Sequence, residues 1–173
     1  SKTVCMIFKP KDRSKRINTS FPNLQFNRDI LALVNNFKYL GHIIADNLRD
    51  DLDMQREIRN LFVRTNILKC KFFKCSVEVK VSLFKAYCIC LYGSALWKYH
   101  SYSSLNTLHR AYHKCIKIFF GFNRQHSISM ILMNLGLPSF DTIISNSRMV
   151  LKRSILDTNN KFVNFLSTID LLY

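Results

Sequence analysis

The residues best suited to chemistry in this chain are cations strung along one stretch and interleaved with aromatics. Arg56, Arg59 and Arg64 precede the run Lys69-Cys70-Lys71-Phe72-Phe73-Lys74. Guanidinium and ammonium groups neutralise phosphates, and aromatic rings between them offer faces on which bases stack. Arg56 and Arg59 are three residues apart and share a helix face, with Arg64 somewhat round from them. A solvated helix end is the competing account: the macrodipole favours Lys there, and Phe72 or Phe73 simply enters the core. Upstream lies a second group, Phe37-Lys38-Tyr39-Leu40-Gly41, which sets aromatic and basic residues beside a glycine.

The charge of the whole chain points to the same kind of partner. Its 173 residues carry 26 Lys+Arg against 11 Asp+Glu, a net +15. No acidic residue lies between Glu78 and Asp141, while Lys80, Lys85, Lys98, Arg110, Lys114, Lys117 and Arg124 do. Nucleic acid is the usual partner of so biased a chain; a basic protein that is merely soluble is the bland alternative.

Catalytic groupings are not evident. Asp50, Asp51 and Asp53 are close in sequence but fan out over different sides of one helical turn, which suits helix capping better than metal binding. No phosphate-cradling glycine loop, zinc-protease helix or nucleophile elbow occurs. His109 and His113 share a helix face without a third ligand. The six cysteines, at 5, 70, 75, 88, 90 and 115, lack zinc spacing, and Cys88 and Cys115 lie on apolar stripes. They read as buried small hydrophobes in a reducing compartment. No catalytic residue, no metal ligand and no cofactor is therefore expected.

The uncharged apolar-rich run Ala86 to Trp97 has 12 residues, against the roughly 20 a bilayer requires. With no signal-like N-terminus, the expectation is an intracellular chain, cytoplasmic or nuclear, without membrane contact. The start at Ser1, with no initiator Met, suggests a processed chain or an excised fragment.

These residues need elements to position them. Thr3 to Phe8 predicts a strand, and Lys9 to Arg16 a basic loop. Leu24 to Ala45 predicts a hairpin turning at Asn35-Asn36, with Leu40 toward the core and Tyr39 on the opposite face. Helical periodicity then begins near Asp50. Further helices are expected from Ser76 to Leu91 or beyond, Ser104 to Phe120, Ser127 to Leu135, Phe140 to Leu156 and Lys161 to Leu171. The fold class is mainly α, with a small antiparallel β element at the N-terminus and the helices packed as a bundle.

Three stretches in order carry a family resemblance: Ser1-Lys2-Thr3-Val4-Cys5-Met6-Ile7-Phe8, Phe37-Lys38-Tyr39-Leu40-Gly41-His42-Ile43-Ile44, and Asp53-Met54-Gln55-Arg56-Glu57-Ile58. Together they look like the C-terminal part of the reverse transcriptase of non-LTR (LINE-type) retrotransposons. Ala95-Leu96-Trp97, Lys117-Ile118-Phe119-Phe120-Gly121 and Gly136-Leu137-Pro138-Ser139-Phe140 resemble the region beyond that family's primer grip. The resemblance implies three segments: 1–48, the end of the palm with a primer-grip-like hairpin; 49–125, a basic thumb-like bundle; and 126–173, a C-terminal helical segment. It implies that Phe37, Lys38, Tyr39 and Gly41 sit against a primer strand. Arg56, Arg59, Arg64, Lys69, Lys71 and Lys74 would track phosphates.

The chain also departs from the family. The catalytic carboxylates belong to an earlier aromatic-Ala-Asp-Asp turn, which this sequence does not contain, and the fingers and the rest of the palm are missing too. Lys2 matches a palm Lys suspected of protonating the leaving pyrophosphate. The implied function is thus a fragment of an RNA-directed DNA polymerase, inactive alone, that binds an RNA or DNA template-primer; Mg²⁺ would belong to the parent enzyme. Two alternatives stand beside it. One is the visible part of a complete polymerase. The other is a degenerate or domesticated helical protein-interaction module, which would show an apolar patch rather than a basic groove.

Overall fold

In the computed structural model, which describes residues 3–8, 21–26 and 29–168, short strands precede a succession of helices. The strands are β1 (Val4–Cys5), β2 (Gln25–Phe26), β3 (Asp29–Ile30), β4 (Ala32–Leu33), β5 (Asn36–Tyr39) and β6 (His42–Ala45). The helices are α1 (Asp51–Phe72), α2 (Val77–Tyr87), α3 (Tyr102–Phe120), α4 (Ile128–Leu135), α5 (Phe140–Leu156) and α6 (Lys161–Thr168). A 3-10 turn, Ser94–Leu96, separates α2 from α3. The chain is mainly α with small sheets at its N-terminus. The basic loop of residues 9–16, Lys2 and the last turn expected of α6 lie outside the described residues.

The hairpin differs from its expected form. β5 and β6 pair antiparallel, with Phe37 opposite Ile44 and Tyr39 opposite His42, so Leu40 and Gly41 make the turn. Asn36 is a strand residue facing Ala45, and Asn35 accepts the Asp46 N–H at 2.8 Å. Nor does β4 lead into the hairpin: it pairs parallel to β1, Val4 against Ala32 and Cys5 against Leu33. The parallel pair corrects the expectation of a wholly antiparallel element. A two-residue hairpin loop of the favoured twist needs positive φ at both central positions. Gly41 takes φ 86° and Leu40 φ 46°. Leucine in that region costs about 1–2 kcal/mol, so the turn is nearly invisible from residue preferences. Leu40 is also 73% exposed at the tip, where a core position was expected.

The described chain gathers into two compact units. One comprises Ser1–Asn60 and Lys98–Leu108, the other Leu61–Trp97 and His109–Tyr173. The three segments expected from sequence are consecutive, so the two divisions cut the chain differently.

In the first unit, the aspartates at the start of α1 do more than complement a macrodipole. Asp50 accepts the backbone N–H groups of Lys98 and Tyr99 at 2.9 and 2.7 Å. Asp51 accepts from the Ser101 N–H and from the hydroxyls of Ser101 and Ser104. Burial pushes the Asp51 carboxyl up, but the hydrogen bonds from Ser104, Ser101 and Arg49 outweigh it and hold the group well below the usual carboxylate range. Its folded pKa lies below its unfolded one, so its stabilisation is present above about pH 4 and is lost as pH falls through the folded value. Ser104→Ala is expected to cost about 1.5–3 kcal/mol at neutral pH, a charged hydrogen bond. The deficit should narrow as the pH drops below about 4. Urea unfolding at neutral and acidic pH measures it; a pH-independent deficit would mean that the hydroxyl matters only for packing.

The second unit is closed by aromatics. Phe84 of α2 is fully buried, with ring centroids of Tyr112, Phe119 and Phe120 at 6.2, 6.0 and 5.9 Å. Tyr112 donates its hydroxyl to the Pro138 carbonyl at 2.7 Å, so its polar end is satisfied inside the core. Cys88 and Cys115 are buried here, and burial pushes both thiols up to about 11. They act as the small hydrophobes their apolar stripes indicated.

Candidate nucleic-acid interface

The hairpin presents its functional candidates outward. Every side chain of β5 is exposed, Phe37 at 39% and Tyr39 at 56%. Period-two alternation puts Phe37 and Tyr39 on one face and Lys38 on the other. Gly41 follows Leu40 in the turn. Phe37, Lys38, Tyr39 and Gly41 therefore lie on one ribbon, the two rings on one face and Lys38 on the other.

That ribbon is anchored through β6. The Asp53 carboxylate, buried at the start of α1, accepts the Ile43 N–H at 2.9 Å and lies 3.0 Å from His42 Nδ1. Arg56 closes the far side, with Nε donating to Asp53 at 2.7 Å and Nη1 to the buried Glu57 at 3.0 Å. Its side chain is only 11% exposed. Burial would lower the guanidinium's pKa, but the two carboxylates overcome this and raise it. A guanidinium between two buried carboxylates already has its charge balanced within the protein. Arg56 is thereby held in an ion-pair cluster at the foot of the hairpin, unlike the exposed cations of α1.

The remaining cations of α1 and its end divide differently. Arg59, in the first unit, is exposed. Lys69, Lys71 and Lys74, in the second, are exposed as well, and Arg64 is half-buried. Phe72 is half-buried, whereas Phe73 is 60% exposed with Lys74 Nζ 5.5 Å from its ring centre. One ring is thus half-buried and the other stands out beside a cation.

The second unit also contains a cleft that the spacing of single motifs did not reveal. Arg110, His113, Lys114 and Lys117 of α3 face Phe122 and Arg124 of the following loop around a cavity of about 760 Å³. Among the described residues no acidic side chain lines it. Lys117 Nζ donates to the Arg124 and His126 carbonyls, both at 2.7 Å, and so pins the loop against the helix. Burial lowers the His113 pKa, and His109 and Lys117 add to that against an opposing pull from Asp141. The available signal was the recurrence of cations at 110, 114 and 117, one helical face by the 3.6-residue period, before a glycine stop at Gly121.

Among the described residues no group of three or more His, Cys, Asp or Glu side chains is placed to hold a metal ion. No single described helix is long and apolar enough to cross a membrane; α4 and α5 reach that composition only as a pair bent by 57°. No family model, curated protein or solved structure matches the chain.

Proposed function

We propose that this chain binds the recessed end of a template-primer, RNA or DNA, as the primer-grip and thumb-like part of a non-LTR-type RNA-directed DNA polymerase without its catalytic aspartates. The observation that carries the reading is Leu40. It is held at a positive φ that asparagine or glycine would occupy at lower cost, with a side chain 73% exposed. Backbone strain at an exposed apolar tip is maintained against stability, and such sites concentrate where a ligand is met. Its neighbours Phe37, Lys38 and Tyr39 supply stacking faces and a cation. On this reading the chain positions nucleic acid in the cytoplasm or nucleus and performs no chemistry alone; Mg²⁺ would be bound elsewhere in the parent enzyme.

The exposed cations Arg59, Lys69 and Lys71 supply the sequence-independent part of the affinity. Their joint replacement by glutamine is expected to weaken binding to unrelated sequences about equally. The slope of log K against log salt should flatten by roughly 0.7–0.9 per lost contact. Fluorescence anisotropy over a salt series measures both; an unchanged slope would make these residues a solvated face.

A second reading, a helical protein-interaction module, draws on Met149, Val150, Leu156, Phe162 and Phe165 of α5 and α6, which are exposed at 50–68%. It requires the wild-type chain to bind no nucleic acid in the same assay.

A further inference from the structure

We propose that the cleft between α3 and the 121–128 loop is a separate binding site for single-stranded nucleic acid. The inference rests on the nucleic-acid reading above but uses none of the hairpin's residues. Four features carry it. The cleft's volume of about 760 Å³ falls within the roughly 300–1,000 Å³ of sites that enclose small ligands. An open cleft of this volume can take an unstacked nucleotide. Its charge comes from Arg110, Lys114, Lys117 and Arg124, and among the described residues no carboxylate lines it, so a phosphodiester is attracted there. Lys117 spends two of its three N–H donors on the loop carbonyls, which fixes its ammonium in the wall and leaves one donor for a phosphate oxygen. Phe122 in the lining supplies a flat apolar face, and base–aromatic stacking is indifferent to sequence. Cations tracking a backbone beside an aromatic platform are the recurring means of holding single strands.

The test compares short fluorescent oligothymidylate and oligouridylate with a blunt RNA–DNA hybrid and with one carrying a recessed end. Arg110→Gln, Lys114→Gln and Arg124→Gln are combined, since all three side chains are exposed and their loss leaves the core intact; Lys117 is spared because it holds the loop. Single-strand affinity is expected to fall about tenfold or more, with the salt slope reduced by roughly 2. Phe122→Ala is expected to weaken single-strand binding about fivefold or more without moving the slope. Asn123→Asp, which puts a carboxylate into the lining, should weaken it as well. Binding of the blunt hybrid, which offers no unpaired strand, should change less than about twofold, because duplex phosphates are met elsewhere. Unchanged single-strand affinity in the triple variant, with wild-type hybrid binding, would overturn the cleft and leave the primer-template reading standing. Single-strand binding lost in the triple variant, from a wild type that ignores the recessed end, would support the cleft and remove the hairpin reading. Complete displacement of the strand by inorganic phosphate at matched ionic strength would reduce the cleft to a simple anion site and overturn the proposal.

Discussion

Replacing Arg56 by alanine is expected to cost about 3–5 kcal/mol of folding free energy, because it removes the cation that balances two buried carboxylates. Asp53 is 2% exposed and Glu57 fully buried. The guanidinium donates to Asp53 through Nε at 2.7 Å and Nη2 at 3.3 Å, and to Glu57 through Nη1 at 3.0 Å. Without it, two carboxylates sit close together in a weakly polar interior. The Asp53 anchor of the hairpin is weakened at the same time, so the loss should appear both in global stability and in the order of β5–β6. Urea unfolding provides the first measurement. Glu57→Ala combined with Arg56→Ala should cost clearly less than the two single losses added, since the pair's shared interaction is then lost only once. A loss below about 1 kcal/mol for Arg56→Ala would mean that water reaches the pair and that the cluster is an ordinary surface ion pair.

Phe84→Ala is expected to be of similar size, about 3–5 kcal/mol, but for an apolar reason. The ring is fully buried and in contact with three others. Its removal forfeits transfer free energy and opens a cavity whose rigid aromatic walls relax poorly. Phe73→Ala is the internal control: that ring is 60% exposed, and its loss should stay within about 0.5 kcal/mol. Equal losses at the two positions, read from the midpoints of denaturant unfolding, would contradict the packing described for the second unit.

Helices were legible where apolar periodicity was strong. α5 spans Phe140–Leu156 as its pattern predicts, opened by Ser139, whose hydroxyl accepts the Thr142 N–H at 3.2 Å. α2 stops at Tyr87 although apolar residues continue, because Leu91 and Gly93 take φ 28° and 81° and the chain turns. Leu91 is fully buried, so packing holds it there, a tertiary cause that no local pattern contains. The hairpin was misplaced for a related reason: Asn35-Asn36 carries the residue preference for a turn, whereas Leu40-Gly41 carries the turn itself.

The candidate site was legible in charge but not in geometry. Spacing placed Arg56 and Arg59 on one helix face, yet the fold pairs Arg56 with Asp53 and Glu57 and leaves Arg59 exposed. The α3 cleft depends on a loop folding back onto the helix through Lys117, a contact seven and nine residues away that composition cannot reveal.

Leu40→Asn tests the central claim most directly, because it separates the stability of the hairpin from the use of its tip. Asparagine tolerates positive φ, and Asn-Gly is the preferred pair for this turn. The substitution should therefore stabilise the fold by about 0.5–1 kcal/mol while removing the exposed apolar side chain. Anisotropy on a hybrid with a recessed primer end, with a blunt duplex as reference, gives the answer. If the hairpin holds a primer end, the more stable variant binds the recessed end about fivefold or more weakly, at an unchanged salt slope, since an apolar contact releases no counterions. Recessed-end affinity that is unchanged or improved in this stabilised variant would contradict the grip.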